Sequence, residues 1–374
     1  MRILCMGCAG SSEVSGAKFS QRGTGAATRL SSLTTVVYEA PDLKARVSKA
    51  DNHNRQSCPF DECVVATLSN AGSNAETGAS KTNQDRGCVC LPFNRAGDES
   101  LLCIFDGHGK QSERVSGWAM EELPGRLEAR GSALRADPMR TLYETIIGLD
   151  DALCSHPDLS SVCDSAGTTA TVVYMKGLKL HVACLGDSRA VLGSMEDGHV
   201  VAIDLTSDHK PDAPKEKERI LQAGGTITPA NKQGGARVWA AAQHGLLVSR
   251  SLGDRLHKVR GNGVVAEAEM HSLELKLPPV GSSGKLHATA DGDRFLILAS
   301  DGLWEQVSSQ HAVNVAAKHA DNAREASQAL VKLAEKRWNA LSSGEARDDI
   351  TVTVAFLPLS AQVEEDRGDV RTYV

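Results

Sequence analysis

Short runs of apolar residues recur through the middle of the chain, and carboxylates stand at their ends. Leu101–Phe105 runs directly into Asp106 and Gly107, and Phe295–Ala299 is soon followed by Asp301. Runs of this length, rich in Ile, Leu and Phe, are typical of buried strands that end in turns. The pattern therefore predicts buried strands, and it raises the question of why ionisable groups stand where burial makes an uncompensated charge costly.

Further apolar runs predict antiparallel pairing. Residues 167–175, 178–187, 189–195 and 199–206 are strand-like, and a Lys-Gly turn at 176–177 joins the first two. Such turns between apolar runs are typical of hairpins. The first two runs are therefore predicted to pair as in an antiparallel meander, and the other two are further strands.

Two other segments have the spacing of amphipathic helices. Residues 112–127 place Val115 and Leu123 on one face, and residues 322–341 open with Asn322 and Glu325 in the arrangement of a capping box. Hairpins combined with separate helices predict an α+β layered fold rather than repeated βαβ units.

The distribution of apolar residues divides the chain of 374 residues into three parts. Residues 1–55 are rich in Ser, Thr, Gly and Ala and predict a disordered tail. Residues 56–358 alternate strands and helices densely enough for one large domain. Residues 359–374 predict a solvated, acidic C-terminal tail.

Composition excludes several classes of protein. The net charge is -6 and no long run of Lys or Arg occurs, so we expect no nucleic-acid partner. No apolar stretch is long enough for a transmembrane helix. The 10 cysteines are scattered, and the Cys5–Cys8 pair lacks the further ligands of a zinc site. We therefore expect a reduced, cytoplasmic protein, and a monomer because no helix is unusually apolar on its exposed face.

The carboxylates at the strand ends are the main candidates for chemistry. They are Asp85, Asp106, Asp187, Asp301 and the pair Asp348–Asp349. A single one of them is most simply a turn residue. If the strands are neighbours, however, these groups converge and their repulsion demands cations. Carboxylate oxygens suit Mg²⁺, Mn²⁺ or Ca²⁺ rather than zinc, and several together predict two divalent ions and a hydrolytic reaction.

Nine motifs follow one another along the chain: NQD (83–85), FDGHGK (105–110), SAGTTA (165–170), CLGDSRAVL (184–192), SDHKP (207–211), EKERILQAGG (216–225), LLVSRSLGD (246–254), ASDGLWE (299–305) and RDDIT (347–351). In sequence and order they resemble the metal-dependent protein phosphatases of the 2C class, the PPM family, and the resemblance covers residues 60 to 358. It implies a four-layer αββα sandwich, with two antiparallel sheets packed face to face, helices on both sides, and metals at one end.

The resemblance also implies roles for individual residues. Two Mg²⁺ or Mn²⁺ ions would be held by the Asp106 carboxylate, bridging both, by the Gly107 carbonyl on one ion, and by Asp301 and Asp348 on the other. Asp85 would lie in the inner or water-mediated shell, and Asp187 would form a third, weaker site. His108 matches the general acid.

The activity implied is that of a protein serine/threonine phosphatase acting on phosphorylated Ser/Thr proteins. A hydroxide bridging the metals would attack phosphoserine or phosphothreonine in line, and His108 would protonate the departing alkoxide, without a covalent intermediate.

Three positions depart from the family pattern. Where many members have an Arg that binds the substrate phosphate, this chain has Ser80 followed by Lys81, and Lys81 is our candidate for that role. Gln84 stands where a metal-binding Glu is frequent, and Asp349 where an Asn is frequent. The alternative reading is a pseudophosphatase that keeps the fold and binds phosphoproteins.

The N-terminus carries a separate hypothesis. Residues 6–11, MGCAGS, fit the pattern for myristoylation of Gly7 and palmitoylation of Cys8, which together would anchor the chain to a membrane surface if translation starts at Met6. A plain disordered tail and an organelle transit peptide are the other readings.

Overall fold

The protein is a sandwich of two large β-sheets. The computed structural model describes residues 38–39, 64–73, 79–94, 98–231, 234–240, 244–259, 261, 263–279, 290–320, 322–341 and 347–359. One sheet has six strands, in the spatial order β1 (Tyr38–Glu39), β2 (Val65–Asn70), β17 (Ile350–Phe356), β16 (Gly292–Ala299), β9 (Arg189–Glu196) and β10 (His199–Asp204). Neighbours are antiparallel except for the two-residue β1, which runs parallel to β2.

The second sheet has five strands and is entirely antiparallel. Its spatial order is β15 (Glu269–Glu274), β8 (Lys179–Leu185), β7 (Ala170–Lys176), β4 (Glu99–Phe105) and β3 (Arg86–Cys90). The predicted turn joins β7 to β8, with Lys176 opposite Lys179.

The strand predicted over 167–175 is divided in two. Its first residues form β6 (Gly167–Thr168), which pairs with β5 (Gly107–His108) and β14 (Leu252–Gly253) in a small third sheet. The register is the same on both sides of the division, with Thr168 opposite Gly107 and Thr171 opposite Ile104, and the Thr169 N–H donates to the Asp106 carbonyl between these two pairs.

Helices cover the outer face of each large sheet. On the five-stranded sheet lie α1 (Ser112–Ala129), α2 (Gly131–Ala136) and α3 (Pro138–Cys154), and on the six-stranded sheet lie α6 (Asp301–Trp304), α7 (Ser309–Ala316) and α8 (Ala323–Leu341). A short 3-10 turn (Ala317–His319) follows α7. At the predicted start of α8, the Glu325 backbone N–H donates to Asn322 Oδ1 at 3.0 Å. A smaller subdomain contains α4 (Pro214–Gln222), α5 (Arg255–Val259) and a sheet of β11 (Thr226–Thr228), β12 (Arg237–Ala240) and β13 (His244–Leu246).

The alternation of side chains along β4 shows why its apolar run is continuous. Leu101, Cys103 and Phe105 pack against α1 and α3, whereas Leu102 and Ile104 pack against the six-stranded sheet. Successive side chains of a strand point to opposite faces, so a strand covered on both faces needs apolar residues at every position. The resulting four layers, αββα, are those that the family resemblance implies.

The predicted tails fall largely outside the described residues. This applies to residues 1–37 and 40–55, including the acylation candidates Gly7 and Cys8, and to residues 360–374. Leu359, just past the predicted domain boundary, is buried between the two sheets. Among the described residues, no helix is both long enough and apolar enough to cross a membrane.

Candidate metal centre

Strand ends from both sheets bring the predicted carboxylates to one end of the sandwich. Asp106 follows β4, Asp187 follows β8 and Asp301 follows β16. One oxygen of each lies within 4.8 Å of an oxygen of the other two. Asp85 and Asp348, which precede β3 and β17, lie near enough for their charges to act on Asp106. The predicted convergence is therefore present.

The backbone of Asp106 is held by a residue that sequence reasoning did not single out. The Thr169 N–H donates to the Asp106 carbonyl at 2.8 Å, and the Asp106 N–H donates to Thr169 Oγ1 at 3.0 Å. Thr169 Oγ1 also lies 2.7 Å from the Ser188 hydroxyl, next to Asp187. Thr169 therefore links the backbone of Asp106 to the side chain of Ser188, the residue after Asp187, and its place in the SAGTTA motif was the available signal.

Asp85 is positioned from the opposite sheet. It is buried, and Ser300 Oγ donates to its carboxylate at 2.6 Å while accepting from the Thr351 N–H at 3.0 Å. The adjoining Gly302 permits a close approach, since a Cβ there would stand 1.9 Å from the Asp349 carbonyl oxygen. The turn that carries Asp301 can therefore lie against the turn that carries Asp348.

The electrostatics of this cluster are those of carboxylates with too few cations. Burial raises the pKa of Asp106 and of Asp301, and the neighbouring carboxylates raise both further. Burial and the charge of Asp349 raise the pKa of Asp85 to about 7. A set of converging carboxylate oxygens with unbalanced negative charge fits hard divalent cations such as Mg²⁺ or Mn²⁺.

Two lysines partly compensate the cluster. Lys210 forms an ion pair with Asp187 and lies 4.0 Å from Glu305. Lys81 Nζ lies 2.6 Å from Asp348 Oδ1 and 3.5 Å from Asp349 Oδ2. The Asp348 carboxylate is therefore paired with Lys81 and lies outside the group formed by Asp106, Asp187 and Asp301.

Gly107 and His108 form β5, directly after Asp106. His108 Nε2 lies 2.6 Å from Asp254 Oδ2, and the Asp254 side chain is completely buried. Burial alone would lower the pKa of His108, but the charge of Asp254 outweighs it and raises that pKa. Gly167 makes room for this pair, because a Cβ there would stand 2.2 Å from Asp254 Oδ2.

Asp254 is the main functional candidate that sequence reasoning missed. It ends the LLVSRSLGD motif, but nothing local marks it as the partner of a residue 146 positions away. Ser251 Oγ donates to the same carboxylate oxygen at 2.6 Å. Asp150 steadies the turn, accepting from the Gly253 N–H at 2.8 Å and from Lys258 Nζ at 2.7 Å.

Gln84, at the position where a Glu is frequent, connects two turns of the site. Its backbone N–H donates to Asp349 Oδ2 at 2.9 Å, and its side-chain amide donates to the Gly109 carbonyl at 2.8 Å. The amide of Gln84 therefore ties the loop after His108 to the start of β3.

Comparisons with known proteins agree with this geometry. A sequence model of the family described as Protein phosphatase 2C matches residues 69–340. The chain is 30% identical to "Probable protein phosphatase 2C 34" of Arabidopsis thaliana over 356 aligned residues. These residues cover 90% of this chain and 93% of that relative. It is 32% identical over 301 residues to "Probable protein phosphatase 2C 64" of Oryza sativa subsp. japonica, covering 78% of this chain and 66% of that one.

The fold also matches solved structures. The "Crystal structure of serine-threonine phosphatase 2C from Toxoplasma gondii" superposes with a TM-score of 0.61 at 23% sequence identity, over 78% of this chain and 94% of that chain. The predicted fold and the predicted phosphatase class are confirmed, and the chain belongs to the protein phosphatase 2C family.

Proposed function

We propose that this chain hydrolyses phosphoserine and phosphothreonine in proteins with the help of two Mg²⁺ or Mn²⁺ ions. The observation that carries the proposal is the triad of Asp106, Asp187 and Asp301, whose ligand oxygens lie within 4.8 Å of one another. His108, which pairs with Asp254, stands two residues after the first of these.

The residues that would hold the ions are those at the strand ends. We assign them to the Asp106 carboxylate, the Gly107 carbonyl, Asp301 and Asp348, with Asp85 acting through water and Asp187 contributing a third, weaker site. When bound, the ions supply an activated water near neutral pH and neutralise charge on the phosphoryl oxygens.

His108 would supply the proton for the departing Ser or Thr oxygen. Its Nε2 lies 2.6 Å from Asp254 Oδ2, a contact that orients the ring, so Nδ1 would be the nitrogen that gives its proton to the leaving oxygen. An aspartate bonded to the far nitrogen of a histidine favours the protonated ring, so the acid form is available at physiological pH. Asp254 is in this account a positioning residue.

Lys81 is our candidate for binding the substrate phosphate. Its ammonium lies beside Asp348 at the edge of the carboxylate cluster, and about a third of its side chain is exposed, 31%. A lysine supplies a point charge, without the two-pronged geometry of an arginine.

Acylation of Gly7 and Cys8, and with it association with a membrane surface, stays a prediction, as do the cytoplasmic location and the monomeric state. The mass of the mature N-terminal peptide tests the first of these. A peptide that retains Met1 would contradict it.

Turnover of a phosphothreonine peptide tests the proposed function. The full chain is treated with EDTA, and Mn²⁺ or Mg²⁺ is then titrated in, with Asp106→Asn and Asp301→Asn measured beside it. We expect metal-dependent turnover that both substitutions abolish. A folded protein that binds the peptide but never turns it over would instead be a pseudophosphatase.

A further inference from the structure

Lys81 stands between two neighbouring aspartates that have different surroundings. Its Nζ lies 2.6 Å from Asp348 Oδ1 and 3.5 Å from Asp349 Oδ2. The Asp349 side chain is 3% exposed, whereas that of Asp348 is 45% exposed. One partner of the ammonium is therefore enclosed by protein and the other opens toward solvent and the metal centre.

The enclosed partner is fixed by backbone groups. Asp349 Oδ1 accepts from the Gly72 N–H at 2.7 Å, and its Oδ2 accepts from the Gln84 N–H at 2.9 Å. Because both oxygens are held by the main chain, Asp349 cannot turn toward a metal without breaking these bonds. It serves as an anchor for the lysine.

Lys81 itself is fitted to this place. Its backbone N–H donates to the Gly72 carbonyl at 3.0 Å, and a Cβ on Gly72 would stand 2.6 Å from Lys81 Cε. The absence of a side chain at position 72 is thus what allows the lysine to lie over the two aspartates.

The contact with Asp348 occupies one of the two oxygens through which this carboxylate could bind a metal ion. Asp348 Oδ1 accepts from Lys81 Nζ and from the Asp349 N–H at 2.8 Å, and Asp348 lies outside the group formed by Asp106, Asp187 and Asp301. A divalent cation bound by Asp348 would face the lysine's positive charge at close range, and the two cations would repel each other.

We propose that Lys81 competes with a divalent cation for Asp348, so that this lysine sets the metal affinity of the centre and its ammonium is released when the ion binds. The proposal rests on the proposed function, because it takes Asp348 as a metal ligand. It deepens that function in one respect: the cation that would bind the substrate phosphate becomes free only in the metal-loaded centre.

Calorimetric titration of Mn²⁺ into the EDTA-treated full chain tests this without reference to activity. Lys81→Met removes the competitor, and we expect it to tighten one Mn²⁺-binding event by about three- to fivefold, which corresponds to the upper part of the range for exposed ion pairs. Lys81→Arg keeps a positive charge beside Asp348, so its Mn²⁺ affinity should stay within about twofold of that of the parent chain. Lys179→Met removes an exposed lysine at the start of β8 and should change nothing.

A second titration follows inorganic phosphate as the probe. In the parent chain, phosphate should bind measurably only when Mn²⁺ is present, and Lys81→Met should weaken that binding despite its tighter metal. Thermal unfolding of each variant establishes that it is folded before titration.

The possible results separate the two proposals. If the parent chain is folded and binds no Mn²⁺, the proposed function fails. If it binds Mn²⁺ but Lys81→Met binds it no more tightly, or Lys81→Arg tightens it as much as Lys81→Met does, competition by Lys81 is overturned while the proposed function stands.

Discussion

Two regions of this molecule bury carboxylates, and the charges that surround the carboxylates differ between the two regions. Glu216, in α4, is bonded by the Arg219 and Arg250 guanidinium groups at 2.6 Å each and by the Ser249 hydroxyl at 2.6 Å. Burial would raise the pKa of Glu216, but these partners outweigh it and lower the pKa to about 2. At the candidate metal centre, burial raises the pKa of Asp106 and the charges of the neighbouring carboxylates raise it further.

This difference indicates which buried carboxylates need a bound cation that is not part of the protein. A buried carboxylate that serves only the fold is accompanied by cations of the protein itself, because an unpaired buried charge is strongly destabilising. A group of carboxylates that repel one another lowers stability unless something else binds there, and such groups occur at functional sites. Glu216 represents the first case, and the centre around Asp106 represents the second.

Removal of one charge from the metal centre should have the largest effect. We expect Asp106→Asn to lower phosphopeptide turnover about a hundredfold or more, since changes even beyond the direct ligands of a metal cost ten- to hundredfold. The same substitution should stabilise the metal-free protein. The folded-state pKa of Asp106 lies above its ordinary value, so its charge opposes folding at neutral pH.

Turnover with Mn²⁺ and urea unfolding in EDTA measure the two effects. An Asp106→Asn variant that is inactive and also less stable without metal would contradict the comparison, because the carboxylate would then be structural.

The pair of Asp254 and His108 sharpens the comparison, because here a buried carboxylate is compensated by a group that also reacts. Asp254→Asn should lower kcat for a phosphopeptide by about a hundredfold, with KM little changed, because general acids contribute factors of this size. An aryl phosphate, whose leaving group departs as a stable anion, should be far less affected. Ser251→Ala, which removes a single hydrogen bond to Asp254, should have a few-fold effect. Equal losses with both substrates would show that Asp254 only supports the fold.

Removal of the charge of Glu216 should destabilise the fold, whereas removal of the charge of Asp106 should stabilise the metal-free protein. The pKa of Glu216 is about 2 in the folded protein, below its ordinary value of 4.5. The ionised carboxylate therefore stabilises the fold at pH values above 4.5, and this stabilisation is lost as the pH falls from 4.5 toward 2. Glu216→Gln should lower the free energy of unfolding at neutral pH by on the order of 3 kcal/mol. Urea unfolding at a series of pH values should show the parent chain losing this advantage between about pH 5 and pH 2. A constant difference across that window would contradict the assignment.

The smallest effect on stability is expected for an exposed ion pair. Arg140 and Glu144 form an ion pair at 2.6 Å on the surface of α3, and the Arg140 side chain is 75% exposed. Solvent screens such pairs, so Arg140→Ala should leave the urea midpoint unchanged within error. A clear loss would mean that ion pairing as such, rather than burial, distinguishes the two regions compared above.

Much of this molecule could be predicted from its sequence because the relevant signals are local. The predicted runs Leu101–Phe105 and Phe295–Ala299 lie within β4 and β16 and end where those strands end, and Asn322 caps the start of α8 as the capping pattern indicates. The carboxylates at the strand ends were also identifiable, since a polar residue after an apolar run is visible without knowledge of the fold. The convergence of Asp106, Asp187 and Asp301 was expected if their strands were neighbours. In the structure β4 and β8 lie on either side of β7 and β16 belongs to the facing sheet, so the three carboxylates meet because the two sheets pack face to face.

Only the tertiary structure decided which charged groups meet. His108 and Asp254 are 146 positions apart, and Lys81 and Asp348 are 267 positions apart. Contacts of this kind depend on how the two sheets and their connecting turns pack, and on whether a glycine such as Gly72 or Gly167 leaves room. The sequence by itself determined the strands, the carboxylates and the family. The partner of each charge was decided by three-dimensional packing, because electrostatic interactions depend on distances in space rather than along the chain.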